Sequence, residues 1–187
     1  MTLLVLDLKV PPTSDDLPRA LAERGAAIGA FVVSFVAIGG YWLEHHRLFR
    51  MLVRADGWLL LLNLVLMLTI TFMPYPTAVL ADRLVAGQQI NLAVVFYGVG
   101  QLLAALAMCV LFQYCRSARL LAPTADQELL RRLTWITWGS VMVHGIAVGV
   151  ASVAPVVSLV YYASSPIYWA IDGARARHEA FARTHKV

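Results

Sequence analysis

The sequence holds few side chains that could do chemistry, and the densest group is Glu44-His45-His46, directly before Arg47. A carboxylate beside two histidines could bind a metal ion or act as a general base. Adjacent helical residues point about 100° apart, however, so the two imidazoles cannot easily share one ion. The His-x-x-x-His spacing of zinc-protease helices is also absent. We therefore interpret the group as a polar cluster at the end of an apolar segment, and expect neither a metal site nor a catalytic residue.

Three other polar side chains lie inside long apolar segments: Asn63, Gln101 and His144. Such groups usually turn toward a neighbouring helix and form a hydrogen bond worth about 1 kcal/mol. No acidic residue lies at the same depth, so the sequence does not indicate a proton relay. The sequence also lacks a nucleophile elbow, a phosphate-binding loop and the Thr-Val-Gly-Tyr-Gly filter of familiar potassium channels. Pores, transporters and scaffolds remain open at this point.

The elements that must position these side chains are long apolar helices. Of the 187 residues, 60% are hydrophobic and only 14% are charged, whereas soluble domains carry about 25% charge. The basic residues lie between apolar segments, which argues against nucleic-acid binding. The apolar segments predict an all-α, polytopic membrane protein with six transmembrane helices. The predicted spans are about 1–10, 25–43, 57–73, 90–112, 133–153 and 155–171.

The first of these segments is short. Residues 1–10 would cover about 15 Å as a helix, half of a hydrocarbon core of about 30 Å, before Pro11-Pro12 interrupts the segment. We therefore expect only the outer half of helix one in this chain, with the inner half completed upstream of Met1.

The basic residues predict the orientation in the membrane. If the loop after the second segment is cytoplasmic, eleven Lys and Arg residues lie inside and four outside. This bias places the tail 172–187 in the cytoplasm. The four outer residues are Lys9, Arg19, Arg24 and Arg83.

Several short motifs occur in a characteristic order in the first half of the chain. They are Thr2-Leu-Leu-Val-Leu-Asp-Leu-Lys-Val-Pro11, Ser34-Phe, Tyr41-Trp-Leu-Glu-His-His-Arg-Leu-Phe49, Asn63 and Phe72-Met-Pro-Tyr-Pro-Thr-Ala-Val-Leu80. In this order they resemble a prokaryotic member of the transmembrane-protein-175 family, which forms potassium-permeable channels. Segments four to six match mainly in layout. The family's Arg and Phe-Ser-Asp hallmark, and the isoleucine of its pore constriction, would lie upstream of Met1.

The resemblance implies a homotetramer around a central pore that is lined by helix one and has no carbonyl filter. It places Thr2, Leu3 and Leu6 on the pore-facing side, where the two leucines share one helical face and would form a hydrophobic constriction. It gives Trp42, His45 and Asn63 a supporting role behind helix one.

Potassium is the permeant ion that the resemblance implies, and no cofactor is expected. The partners would be the bilayer and further copies of the chain. The alternatives are a small secondary transporter, a non-conducting structural subunit and a membrane enzyme built on Glu44, His45 and His46.

Overall fold

The described part of the chain is helical almost throughout. The computed structural model describes Pro18 and the ranges 25–123 and 126–165. These ranges contain α1 (Gly25–Arg50), α2 (Gly57–Phe72), α3 (Pro74–Ala86), α4 (Ile90–Ser117), α5 (Gln127–Ala151) and a helix α6 over 155–165. Within them, β structure is limited to one isolated bridge between Leu52 and Leu121. The prediction of an all-α fold is confirmed, while segment 1–10 and tail 172–187 lie outside the described residues.

Three helical stretches of the described residues are long and apolar enough to cross a membrane: Gly57–Ala86, Ile90–Ser117 and Gln127–Ala151. Helix α1 has 26 residues, which is about 39 Å and exceeds a hydrocarbon core of about 30 Å. Large apolar side chains point outward, with Trp135 73% exposed and Val153 82% exposed. A surface of this kind is stable only in lipid or against other apolar chains. The chain is therefore a polytopic membrane protein.

The Pro74-Tyr-Pro76 sequence ends one helix and begins the next. Helix α2 ends at Phe72, and Met73 keeps a right-handed helical backbone, so α3 begins at once with Pro74. Proline is tolerated there because the N–H groups of a helix's first turn have no partner within the helix. The two helices together form a stretch of 30 residues, which continues past the predicted end of this segment at 73.

Two other helices also extend beyond the apolar segments that predicted them. Helix α1 continues to Arg50, stabilised in its last turns by Arg47, whose Nη1 donates to Glu44 Oε1 at 2.8 Å. Helix α5 begins at Gln127, before the predicted 133, because the Asp126 side chain accepts a hydrogen bond from the N–H of Glu128 at 2.9 Å. Polar residues thus prolong the helices past the apolar limit.

Helix α4 is the centre of the bundle and packs against α2, α3 and α5. One buried cluster, around Leu66 and Leu111, fills the end of the bundle next to the α1–α2 loop. A second cluster, around Met73 and Tyr97, fills the other end. Cys109 and Cys115 are buried free thiols in α4.

Candidate functional site

Three polar side chains share one face of α1: Ser34, Tyr41 and His45. Their separations of seven and four residues keep them within about 40° around the helix axis. Each of the three contacts a different neighbouring helix, as the hydrogen bonds below show. Helix α1 is therefore positioned by polar contacts as well as by apolar packing.

The contact between His45 and Asn63 joins α1 to α2. Nε2 of His45 lies 2.8 Å from Oδ1 of Asn63, and because a carbonyl oxygen only accepts, the imidazole donates. The ring of His45 also stacks on Phe49, with 4.0 Å between ring centroids. This is the hydrogen bond between helices that the sequence predicted for Asn63.

The other two contacts join α1 to α3 and α4. The Ser34 hydroxyl donates to Thr77 Oγ1 at 2.6 Å, and both side chains are buried. The Tyr41 hydroxyl donates to the main-chain oxygen of Gln101 at 3.1 Å. Sequence reasoning did not single out Ser34 or Thr77, although both belong to motifs that carry the family resemblance.

Trp42 does not join His45 and Asn63. Its side chain is 60% exposed and stacks on His46, with 5.3 Å between ring centroids and 12° between the ring planes. Trp42 and His46 are four residues apart on a different face of α1 from His45. The structure thus brings together two of the three predicted supporting residues. The pore-facing residues Thr2, Leu3 and Leu6 lie outside the described residues.

The Glu44-His45-His46 group separates in space. Glu44 pairs with Arg47, His45 with Asn63 and His46 with Trp42. Among the described residues, no group of three or more His, Cys, Asp or Glu side chains could hold a metal ion. Each of the three side chains thus has a partner of its own.

Gln101 and His144 are almost fully buried, at 2% and 4% exposure. The Gln101 amide donates from Nε2 to the Tyr97 hydroxyl at 2.8 Å. Nδ1 of His144 lies 2.7 Å from the main-chain oxygen of Ser140 and 3.2 Å from the Tyr161 hydroxyl of α6. The Tyr41 hydroxyl of α1 also lies 3.4 Å from Gln101 Oε1. Each side chain therefore contacts a neighbouring helix, as predicted for polar groups in apolar segments.

A cavity of about 60 Å³ lies between α1, α4 and α5. Its volume is enough for a small number of water molecules. The sequence could not reveal this cavity, because separate helices supply its walls, including α6 through Ser165. The polar part of its lining comprises Tyr41, Glu44, Gln101, Thr137, Ser140, His144 and Ser165.

Asp56 fixes the start of α2 just outside the membrane span. Its Oδ1 accepts from the N–H of Leu59 at 2.8 Å, and its Oδ2 accepts from the Tyr114 hydroxyl at 2.6 Å. The hydrogen bond from Tyr114 is the main reason why the pKa of Asp56 lies below its ordinary value, since it stabilises the carboxylate. The cap thus also ties α2 to α4.

Comparisons with known proteins agree with this architecture. Residues 1–74 match the family model described as endosomal/lysosomal potassium channel TMEM175, a range that contains every predicted pore-facing and supporting residue. A potassium channel of Streptomyces collinus is 30% identical over 175 residues, which cover 92% of this chain and 85% of that protein. A potassium channel of Chamaesiphon minutus is 34% identical over 139 residues, covering 72% and 68%.

A solved structure is also similar. The crystal structure of a lysosomal potassium-selective channel TMEM175 homolog from Chamaesiphon minutus matches with a TM-score of 0.78 at 26% identity. The match covers 91% of this chain and 88% of that chain.

Proposed function

This chain belongs to the TMEM175 family, whose members are ion channels and not enzymes, and on that basis we propose that it is the subunit of a potassium-permeable leak channel. The observation that carries the proposal is the structural match over 91% of the chain to a potassium-selective channel. The two bacterial relatives, both called potassium channels, support it over most of their own length.

The pore in this proposal lies on the symmetry axis of a homotetramer and is lined by helix one. Leu3 and Leu6 form rings of apolar side chains, and the Thr2 hydroxyl lies on the same side of the helix. A narrow apolar ring opposes ion passage, because it denies the ion its hydration shell without offering replacement oxygens. Such a pore conducts without a filter of main-chain carbonyl groups.

The polar face of α1 supports the pore from behind in this proposal. His45 and Asn63 hold α1 and α2 together at 2.8 Å, and the two helices in turn fix the position of helix one. Trp42 takes part from the exposed face of α1, where a neighbouring element can reach it. The protein works in the bacterial cell membrane with its C-terminal tail in the cytoplasm, as the distribution of Lys and Arg indicates.

Potassium efflux from liposomes tests the proposal. A channel should carry potassium down its gradient at a rate that rises with the gradient and requires no second ion. A secondary transporter would instead give saturable flux coupled to another solute, and a structural subunit would give none. Either result would remove the channel assignment.

A further inference from the structure

The end of the bundle that holds the α1–α2 and α4–α5 loops carries an excess of positive charge. Seven arginines among the described residues lie there: Arg47, Arg50, Arg54, Arg116, Arg119, Arg131 and Arg132. The same end has four acidic residues: Glu44, Asp56, Asp126 and Glu128. Two of these carboxylates form ion pairs with arginines, since Arg47 Nη1 lies 2.8 Å from Glu44 Oε1 and Arg131 Nε lies 3.6 Å from Glu128 Oε2.

The two loops are fastened to one another, and this brings arginines from distant parts of the chain together. The N–H of Val53 donates to the oxygen of Leu120, and the N–H of Ala122 donates to the oxygen of Met51, both at 2.9 Å. Next to this short ladder, Nη2 of Arg54 donates to the main-chain oxygen of Arg119 at 3.0 Å. Two cationic residues separated by 65 positions therefore become direct neighbours.

These neighbouring arginines have no carboxylate partner among the described residues. Arg54 uses its side chain on a main-chain oxygen, and Arg116 donates to the Thr134 hydroxyl at 2.8 Å. Arg54, Arg116 and Arg119 are all exposed. Like charges held together without a counter-charge attract an anion, and guanidinium groups match the geometry of phosphate oxygens.

The position of the arginines relative to the membrane indicates where the phosphate comes from. Arg54 comes shortly before Gly57, the start of one membrane-spanning stretch, and Arg119 comes shortly after Ser117, the end of another. Both therefore lie at the level of the lipid headgroups. Trp58, in the first turn of α2, is 65% exposed, as is typical of aromatic side chains in the interfacial belt.

We propose that Arg54 and Arg119, with Arg116 beside them, form a binding site for the phosphate group of an anionic phospholipid. The ladder between the loops fixes the main chain next to Arg54 and Arg119, so both side chains extend from neighbouring positions. A zwitterionic lipid carries the same phosphate, but its ammonium group would approach the arginines and weaken the attraction.

Thermal unfolding of the whole chain in detergent tests this site, since a ligand that binds only the folded protein raises the unfolding temperature. The probes are short-chain phosphatidylglycerol, short-chain phosphatidylcholine and inorganic phosphate. We expect phosphatidylglycerol to give the same stabilisation at about tenfold lower concentration than phosphatidylcholine, with inorganic phosphate ineffective in that range. Equal stabilisation by inorganic phosphate would show a free-anion site and overturn the lipid assignment.

Arg119→Asn is the decisive variant. Arg119 has a φ of +55°, a backbone conformation that Asn tolerates well, and Arg54 bonds to the main-chain oxygen, which the substitution retains. The variant should therefore fold and require about fivefold more phosphatidylglycerol for the same stabilisation. The double variant with Arg54→Gln should lose the preference for phosphatidylglycerol.

Arg83→Gln is the matched control. It removes the same charge near the opposite end of the bundle, where Arg83 Nε lies 3.6 Å from Asp82 Oδ2, and it should leave the lipid preference unchanged. The proposal is overturned if the double variant keeps the preference, or if Arg83→Gln reduces it as much. Because binding is measured through stability, the result is independent of whether the chain conducts potassium.

Discussion

At the scale of single residues, polar side chains in this bundle are used to hold α1 to its neighbours. Within the membrane, a half-buried amide such as that of Asn63 has no water to bond, so its free energy depends on finding a partner in the protein. His45 provides that partner at 2.8 Å. The bond joins side chains on two different helices, and its loss would act on how α1 sits against α2.

Replacing Asn63 tests this contact. Asn63→Leu should weaken oligomer stability or alter potassium conduction, because it leaves the His45 imidazole without its partner and loosens the support of helix one. The cost in stability should be about 1 kcal/mol. The measurements are the urea or SDS concentration that dissociates the oligomer, and the flux from liposomes.

Asn91→Leu provides the comparison. Asn91 also donates to another part of the chain, but it is exposed and its partner is the main-chain oxygen of Ser152, at 2.9 Å, at the end of α5. Asn91→Leu should leave conduction unchanged. If Asn63→Leu matches the parent in both oligomer stability and flux, the supporting role of Asn63 is wrong.

The sequence predicts that a polar residue in an apolar segment needs a partner, but it does not predict which distant residue that partner is. That Asn63 needs a partner in another helix follows from its place in an apolar segment. That Trp42 turns away from His45 follows from the helical repeat, but family motifs group the two by sequence distance, which hides their different faces. The hydrogen bond between Ser34 and Thr77 joins two small hydroxyl side chains that are common in helices and lie far apart in the sequence, so only the fold reveals it.

At the scale of elements, α4 approaches α6 closely at Gly98. Gly98 is buried in α4, and a Cβ atom built there would overlap the Tyr162 hydroxyl oxygen and lie 3.0 Å from Val148 Cγ2. The Tyr162 hydroxyl is buried and has no hydrogen-bond partner among the described residues. Glycine at position 98 is therefore required by packing between helices, and its backbone φ is not the reason.

Gly98→Ala should accordingly destabilise the protein by about 1–3 kcal/mol through overpacking. Tyr162→Phe removes the overlapping oxygen, and should itself cost little, since that oxygen has no partner among the described residues to lose. The double variant should recover much of the lost stability, with the contact to Val148 limiting the recovery. Chemical unfolding of the four proteins measures this, and strictly additive losses would contradict the packing explanation.

The positions of the helices could be predicted from the sequence, but the residues at which they begin and end could not. The apolar segments locate the helices because lipid demands continuous apolar length. They do not locate the helix ends, since beyond the lipid the limits depend on local hydrogen bonds such as those of Glu44 with Arg47 and of Asp126 with Glu128. The cavity between α1, α4 and α5 depends on packing and has no signal along the chain.

At the scale of the whole molecule, the described structure shows which loops lie at the same end of the bundle. The ladder between the α1–α2 and α4–α5 loops puts both loops at the same end of the bundle. The α3–α4 turn around Gly87 lies at the other end of the spanning helices α3 and α4. Arginines concentrate at the first end, which the positive-inside rule places in the cytoplasm.

Labelling of single cysteines in intact cells tests this topology, after the buried Cys109 and Cys115 have been replaced. Cysteine at Ala118 or at Thr184 should resist a reagent that cannot cross the membrane, because both positions are expected to be cytoplasmic. Cysteine at Gln88, in the α3–α4 turn, should react and confirms that the assay works. Efficient labelling at position 118 or 184 would show that the position lies outside the cell and that the predicted topology is wrong.

We propose that potassium crosses the membrane along helix one, past a ring of apolar side chains, and substitution of Leu6 tests this path. In liposomes, Leu6→Ser should raise potassium flux and reduce its selectivity over sodium, because an added hydroxyl lowers the cost of dehydrating the ion. Leu4→Ser makes the same chemical change on a face that should turn toward neighbouring helices, and should have much less effect. Equal effects of the two substitutions would show that Leu6 does not face the ion path. No potassium flux from parent and variants alike would show that the protein is not a potassium channel.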